Sequence, residues 1–104
     1  MCVSLKNVNS MWHPVIVYGA FRKWDGKTSF GEKPLFYEGV DEFTADKITK
    51  CSDEMMEIKK VLESKGVGLS KLTHLNVWLQ EAYPGQIEDE TNLKTSINTN
   101  KSYK

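Results

Sequence analysis

Two cysteines, Cys2 and Cys51, stand among 104 residues. That is too few for a disulfide-stapled scaffold, and their spacing from the two histidines, His13 and His74, makes no metal-ligand motif. Charge of one sign is also lacking: 14 basic residues balance 14 acidic ones. A general binder of phosphate backbones needs a clustered excess of Lys and Arg, so nucleic acid is not the expected partner. The longest apolar runs are a handful of residues, too short to span a membrane. The opening Met1-Cys2-Val3-Ser4-Leu5 lacks the charged and apolar regions of a secretory signal, and the expected compartment is the cytoplasm. Seven dispersed glycines form no phosphate loop, and no Gly-x-Ser-x-Gly occurs. Arginine occurs once, as Arg22.

What is there suits one ordinary domain, with 39% hydrophobic and 27% charged residues. The strongest local signal is a helix over about residues 45–65. Ile48, Cys51, Met55, Ile58 and Leu62 follow at spacings of 3, 4, 3 and 4, one continuous helical stripe. Thr44 is placed to cap its start, Asp46 suits its first turn, and Gly66 is placed to end it. Two segments read as strands. His13–Phe21 is β-branched and aromatic, with Pro14 suited to a strand start. Leu72–Leu79 alternates, with Thr73, Leu75, Val77 and Leu79 on one face and Leu72, His74, Asn76 and Trp78 on the other. Val3–Val8 and Pro34–Val40 are weaker strand candidates, and Asp25-Gly26 signals a turn. A helix between two strands predicts a right-handed crossover. The expected class is α+β, a small sheet with one main helix packed on one face. Residues 1–80 then form a single α+β domain, and 81–104 a polar C-terminal tail, loosely attached or ordered only against a partner. The uncovered sheet face, carrying Trp78 and Leu72, predicts oligomerisation.

Four stretches carry a family resemblance over about residues 15–80: Val15-Ile16-Val17-Tyr18-Gly19-Ala20-Phe21, Phe43-Thr44-Ala45-Asp46, Val61-Leu62-Glu63-Ser64-Lys65-Gly66, and Leu69 through Leu79. In pattern and spacing the chain resembles the RidA (YjgF, L-PSP-like) family. That resemblance implies a chorismate-mutase-like fold assembled as a trimer, with clefts between subunits that bind small carboxylate-bearing molecules. Many members of that family hydrolyse imines or enamines without a metal. The family's Pro-Ala-Arg type segment, whose arginine grips the carboxylate, has no match after Leu79. The expectation is therefore a divergent RidA-like protein that binds an anionic metabolite or nucleotide-like molecule without robust imine deaminase activity. No metal or cofactor is expected. The competing expectation is a non-enzymatic interaction module, a small inhibitor or adaptor, binding a protein partner through the open sheet face or the tail.

Six residues are the candidate ligand-binding set. His74, Asn76 and Trp78 share one face of the predicted strand, as a cleft wall offering a proton carrier, an amide and an aromatic platform, or as an intersubunit face. Arg22 is the best candidate to grip an anion, with Tyr18 beside it and Trp24 as a stacking surface. The same stretch also reads as a solvated hairpin. His13 reads as structural or exposed, and Cys51 as a small buried hydrophobe. No catalytic residue is assigned.

Overall fold

The computed structural model describes residues 2–104, and side chains from residue 4 onward; Met1 and the side chains of Cys2 and Val3, part of the opening read above, lie outside the described residues. Among the described residues the regular structure is helical: α1 (Cys2–Leu5), α2 (Asn9–Phe21), α3 (Glu42–Ser64), α4 (Leu75–Ala82), α5 (Leu93–Asn98) and a 3₁₀ turn (Lys101–Tyr103). The only extended pairing described is an isolated antiparallel bridge between Ile87 and Asn100. The expected α+β class, with its sheet and β-α-β crossover, is therefore corrected to all-α. Without a sheet, Leu72 and Trp78 do not stand on an open sheet face. Leu72 is buried and Trp78 is half-buried against the core.

The physical reason lies in two ambiguous stretches. In α2 the residues that bury are Trp12, Ile16 and Gly19, at helical spacings of four and three. Packing of that stripe outweighs the β-propensity of Val15, Ile16 and Val17. Pro14 sits on the exposed side of α2, where water can serve the carbonyl it leaves without an N–H partner. In 72–79 the decisive pair is Leu75 and Leu79, both buried. A spacing of four satisfies a period of two and a period of 3.6 equally. Val77 separates the readings: a strand would bury it, and it is 43% exposed.

α3 spans Glu42–Ser64, and its cap is Asp41 rather than Thr44. The Asp41 carboxylate accepts from the Thr44 backbone N–H at 2.9 Å and from the Thr44 hydroxyl at 2.7 Å. The helix closes at Gly66, whose φ of +85° suits a residue without Cβ. The Gly66 N–H donates to the Glu63 carbonyl and the Val67 N–H to the Leu62 carbonyl, the paired bonds of a Schellman ending. The buried residues of α3 are Thr44, Ala45, Ile48 and Ser52, all in its first half.

One core gathers Trp12 and Ile16 from α2, Val40, Ala45 and Ile48, Leu75 and Leu79 from α4, then Ile87, Leu93 and Ile97. Residues 81–104, read as a polar tail, supply the last three. Asn92 and Thr95 cap α5 reciprocally, and this fixes Leu93 and Ile97 toward the core.

The α2–α3 crossing is the tightest contact. A Cβ added at Gly19 would lie 2.8 Å from the Thr44 Cγ2, and closer still to its hydroxyl. At the end of α2, Arg22 donates through Nη1 to the Gly19 carbonyl and through Nη2 to the Asp41 carboxylate at 2.5 Å. The Thr44 hydroxyl, then its backbone N–H and the Arg22 guanidinium, outweigh burial and hold the Asp41 carboxyl at about 2, against an ordinary 3.8.

Two predictions follow from this crossing. Gly19→Ala is expected to destabilise the fold by about 1–3 kcal/mol through overpacking. Gly68→Ala, where nothing lies within 4 Å of the added Cβ, should change stability by no more than about 0.5–1 kcal/mol. Thermal melts of both variants check this, and equal melting temperatures would refute the close crossing. For Asp41 the folded pKa lies below the unfolded one, so its stabilisation is full above 3.8 and fades as pH falls toward about 2. Asp41→Asn keeps a capping side chain and removes the charge. Denaturant midpoints should then fall less steeply with acid across that window than in the parent chain.

Candidate functional site

The six candidate binding residues do not converge. Tyr18 and Arg22, four apart on α2, meet at Phe43: the Tyr18 ring lies 6.1 Å from it, and the Arg22 guanidinium carbon sits 4.6 Å over its centroid. Both Arg22 terminal nitrogens are engaged inside the chain, by Gly19 and Asp41. Tyr18 is exposed and borders a shallow groove with Val15, Lys47, Lys50 and Cys51. Trp24 stands apart, beyond the end of α2. Its ring stacks near Phe30 at 5.9 Å and meets Phe21 at 5.7 Å, while its Nε1–H donates to the Thr28 carbonyl at 2.6 Å. The Asp25 carboxylate orders the turn that follows, accepting from the Lys27 and Thr28 N–H groups.

His74, Asn76 and Trp78 lose their common face because the segment is helical. His74 is the N-cap of α4: its Nδ1 accepts from the Asn76 N–H at 3.2 Å. That leaves Nε2 to carry the proton toward the Asp53 carboxylate, 3.2 Å away on α3. His74 therefore ties α4 to α3. Trp78 turns instead toward the core, meeting Trp12 edge-on at 6.2 Å and Tyr83 at 6.0 Å.

The convergence that does exist centres on His13. α2 carries it beside buried Trp12, and the loop before α3 brings Phe36 and Tyr37 against it. The His13 Nε2 lies 2.9 Å from the Tyr37 hydroxyl, and the Phe36 ring stands edge-on at 5.5 Å. Tyr37 stacks on Tyr103 at 4.1 Å and 19°. Burial pushes the Tyr103 hydroxyl far up, so this ring stays neutral. A cleft of about 280 Å³, lined by Leu35, Phe36, Tyr37, Glu38, Tyr103 and Lys104, opens beside the pair. The arrangement offers a half-buried imidazole hydrogen-bonded to Tyr37, and it is the Tyr37 and Phe36 rings, not His13 itself, that line the neighbouring cleft. That is the setting for a group that gives or takes a proton.

Reading residues 13–21 as a strand hid this site. A helical reading would have placed Trp12 and Ile16 on the buried face and His13 at its margin. Tyr37 and Tyr103 lie far along the chain, as does Asn98, whose side-chain amide donates to the Tyr37 carbonyl at 2.9 Å, and none of the three leaves a local signal. Among the described residues no group of three His, Cys, Asp or Glu side chains is placed to hold a metal ion. No helix among them is long and apolar enough to cross a membrane.

Over residues 1–104 the chain matches the family described as NAD/NADP octopine/nopaline dehydrogenase, alpha-helical domain. It is 41% identical over 104 residues to the tauropine dehydrogenase of Arabella iricolor, covering 98% of this chain and 26% of that protein. It is 41% identical over 97 residues to the octopine dehydrogenase of Mizuhopecten yessoensis, covering 91% of this chain and 24% of that protein. An octopine dehydrogenase solved with NADH and L-arginine superimposes with a TM-score of 0.85 at 39% identity, over 91% of this chain and 24% of that one. A second, solved with NADH and agmatine, gives 0.84 at 37% identity, over 99% and 25%. The chain thus spans about a quarter of the length of the curated relatives it matches. These matches overturn the RidA-like resemblance, and with it both functions built on that sheet, the divergent RidA-like binder and the sheet-face interaction module. The chain belongs to the octopine/nopaline dehydrogenase family, matching its alpha-helical domain throughout.

Proposed function

We propose that this chain is the substrate-side, proton-handling domain of an opine-dehydrogenase-type oxidoreductase. The observation that carries this reading is the His13–Tyr37 pair at 2.9 Å beside an open aromatic cleft, in a chain matched to that family along its whole length. A dehydrogenase acting with a nicotinamide removes a hydride and a proton from neighbouring substrate atoms. The proton needs a base that is neutral near physiological pH, and imidazole is the side chain suited to that. The chain has two histidines, and His74 is committed to capping α4 and to Asp53. His13 is the one left for chemistry.

The family implies a nicotinamide dinucleotide, which supplies the hydride chemistry when bound. The residues described do not fit it. They contain no strand, glycine-rich turn and helix in succession, and the Asp41 carboxylate already occupies the N-terminus of α3, where a phosphate would need the free N–H groups. In this reading the dinucleotide is held elsewhere in the enzyme, and this chain presents the substrate to His13.

The test is oxidation of octopine, nopaline or tauropine by the intact protein with NAD or NADP, followed by nicotinamide absorbance. His13→Asn is expected to lower kcat roughly 10²–10⁴-fold while the protein stays folded. His74→Asn, which keeps a capping side chain, should leave kcat within a few fold. Turnover undiminished in His13→Asn would sink the proposal.

A further inference from the structure

We infer that the exposed apolar row of α2, continued by Trp24 and Phe30, is the surface on which the dinucleotide-holding part of the enzyme docks. The inference rests on the proposed reading of this chain as one domain of an opine-dehydrogenase-type enzyme.

The thirteen residues of α2 include no Asp, Glu, Lys or Arg, whereas ten of the 23 in α3 are charged. One side of α2 faces the core through Trp12, Ile16 and Gly19. Its other side is apolar too, yet exposed. His13, Val17 and Phe21 follow at intervals of four and share one edge of the helix. Beyond Phe21 the row runs into Trp24 and Phe30, with ring centroids 5.7 and 5.3 Å from it. On the other side of His13 stands Phe36, at 5.5 Å, with Leu35 before it in the loop. Val17, Phe21, Trp24, Phe30, Leu35 and Phe36 are each between 39% and 55% exposed. A helix apolar on every side belongs in an interior. A contiguous apolar surface of this kind marks a contact with something else.

The position of His13 names the occupant. The matched region is about a quarter of the relatives' length, and octopine dehydrogenases solved with NADH superimpose on it. The dinucleotide is not held within the described residues, which lack the strand, glycine-rich turn and helix that would cradle it. Hydride transfer needs the nicotinamide carbon about 3–3.5 Å from the substrate carbon, while the proton leaves a neighbouring substrate atom for His13. Whatever holds the nicotinamide therefore approaches α2 beside His13. The surface adjoining His13 along the helix is this apolar row. Having no charge, the row loses little hydration when covered, and aromatic rings are enriched at the centre of such contacts. A second copy of this chain would cover the row without bringing a nicotinamide to His13.

Photochemical capture in the intact protein tests this. A benzophenone side chain carried in place of Phe21, irradiated with NADH added, bonds to whatever touches the row, and mass spectrometry identifies the captured peptide. The expected peptide comes from the part that carries the glycine-rich dinucleotide turn. Capture of a second copy of this segment, of any other segment, or of nothing overturns the inference. Hydroxyl-radical labelling reads the same surface in the unsubstituted protein. Phe21, Trp24 and Phe30 should be oxidised about tenfold more slowly than the same side chains open to water, as in the dry centre of a contact. Unhindered labelling of all three overturns the inference whatever the activity. The expected capture in a protein whose His13→Asn variant turns over undiminished sustains the docking surface and defeats the acid–base reading instead.

Discussion

The rest of the molecule depends on how closely α2 approaches α3. Gly19 has no side chain, so the backbone of α2 comes down onto Thr44. The Thr44 hydroxyl is directed into the Asp41 carboxylate, which caps α3, and Arg22 reaches from the end of α2 to the same carboxylate. One crossing thus sets the distance between the two longest helices, starts the longer one and neutralises the charge that starts it. From there geometry follows. With Gly19 against Thr44, the same stripe of α2 sends Ile16 and Trp12 into the core, and His13 falls at the margin of that stripe.

Around Trp12 the packing changes character. Tyr37, Trp78 and Tyr103 all have ring centroids within about 6 Å of it, at tilted or perpendicular angles that suit the aromatic quadrupole. Such pairs are stiffer and more directional than aliphatic contacts. This explains how a loop and a terminal turn, neither held by a long helix, come to hold a defined shape. The site is built where elements far apart in sequence meet, and its precision derives from ring packing and from the single Asn98 amide.

How much of this was legible in the residues differs by element. The stripe from Ile48 to Leu62 marked α3, though its buried face is set by Thr44, Ala45, Ile48 and Ser52, two of them polar. Hydroxyl groups can be buried once hydrogen-bonded, Thr44 on the Asp41 carboxylate and Ser52 accepting from the Leu75 N–H, and a hydrophobic pattern does not see them. The pair Leu75 and Leu79 is blind between strand and helix, as a spacing of four must be. For α2 the β-branched run argued for a strand, and the packing of Trp12, Ile16 and Gly19 against partners remote in sequence decides otherwise. Arg22 was marked out as the lone arginine. Its guanidinium meets two partners within the chain, and no sequence pattern announces a partner nineteen residues away.

α3 outruns the core it serves. Its 23 residues span about 35 Å, yet none beyond Ser52 is buried, and Ile58 and Val61 are about half exposed. What ties the far half to other elements is slight, chiefly the Lys59 ammonium on the Leu72 carbonyl at 2.9 Å, while the Lys60–Glu57 ion pair lies within the helix itself. A single helix therefore holds two regimes of local stability. Amides of the first half exchange with solvent only when the core opens, whereas those of the second half exchange through fraying that leaves the core, and the His13 site within it, undisturbed.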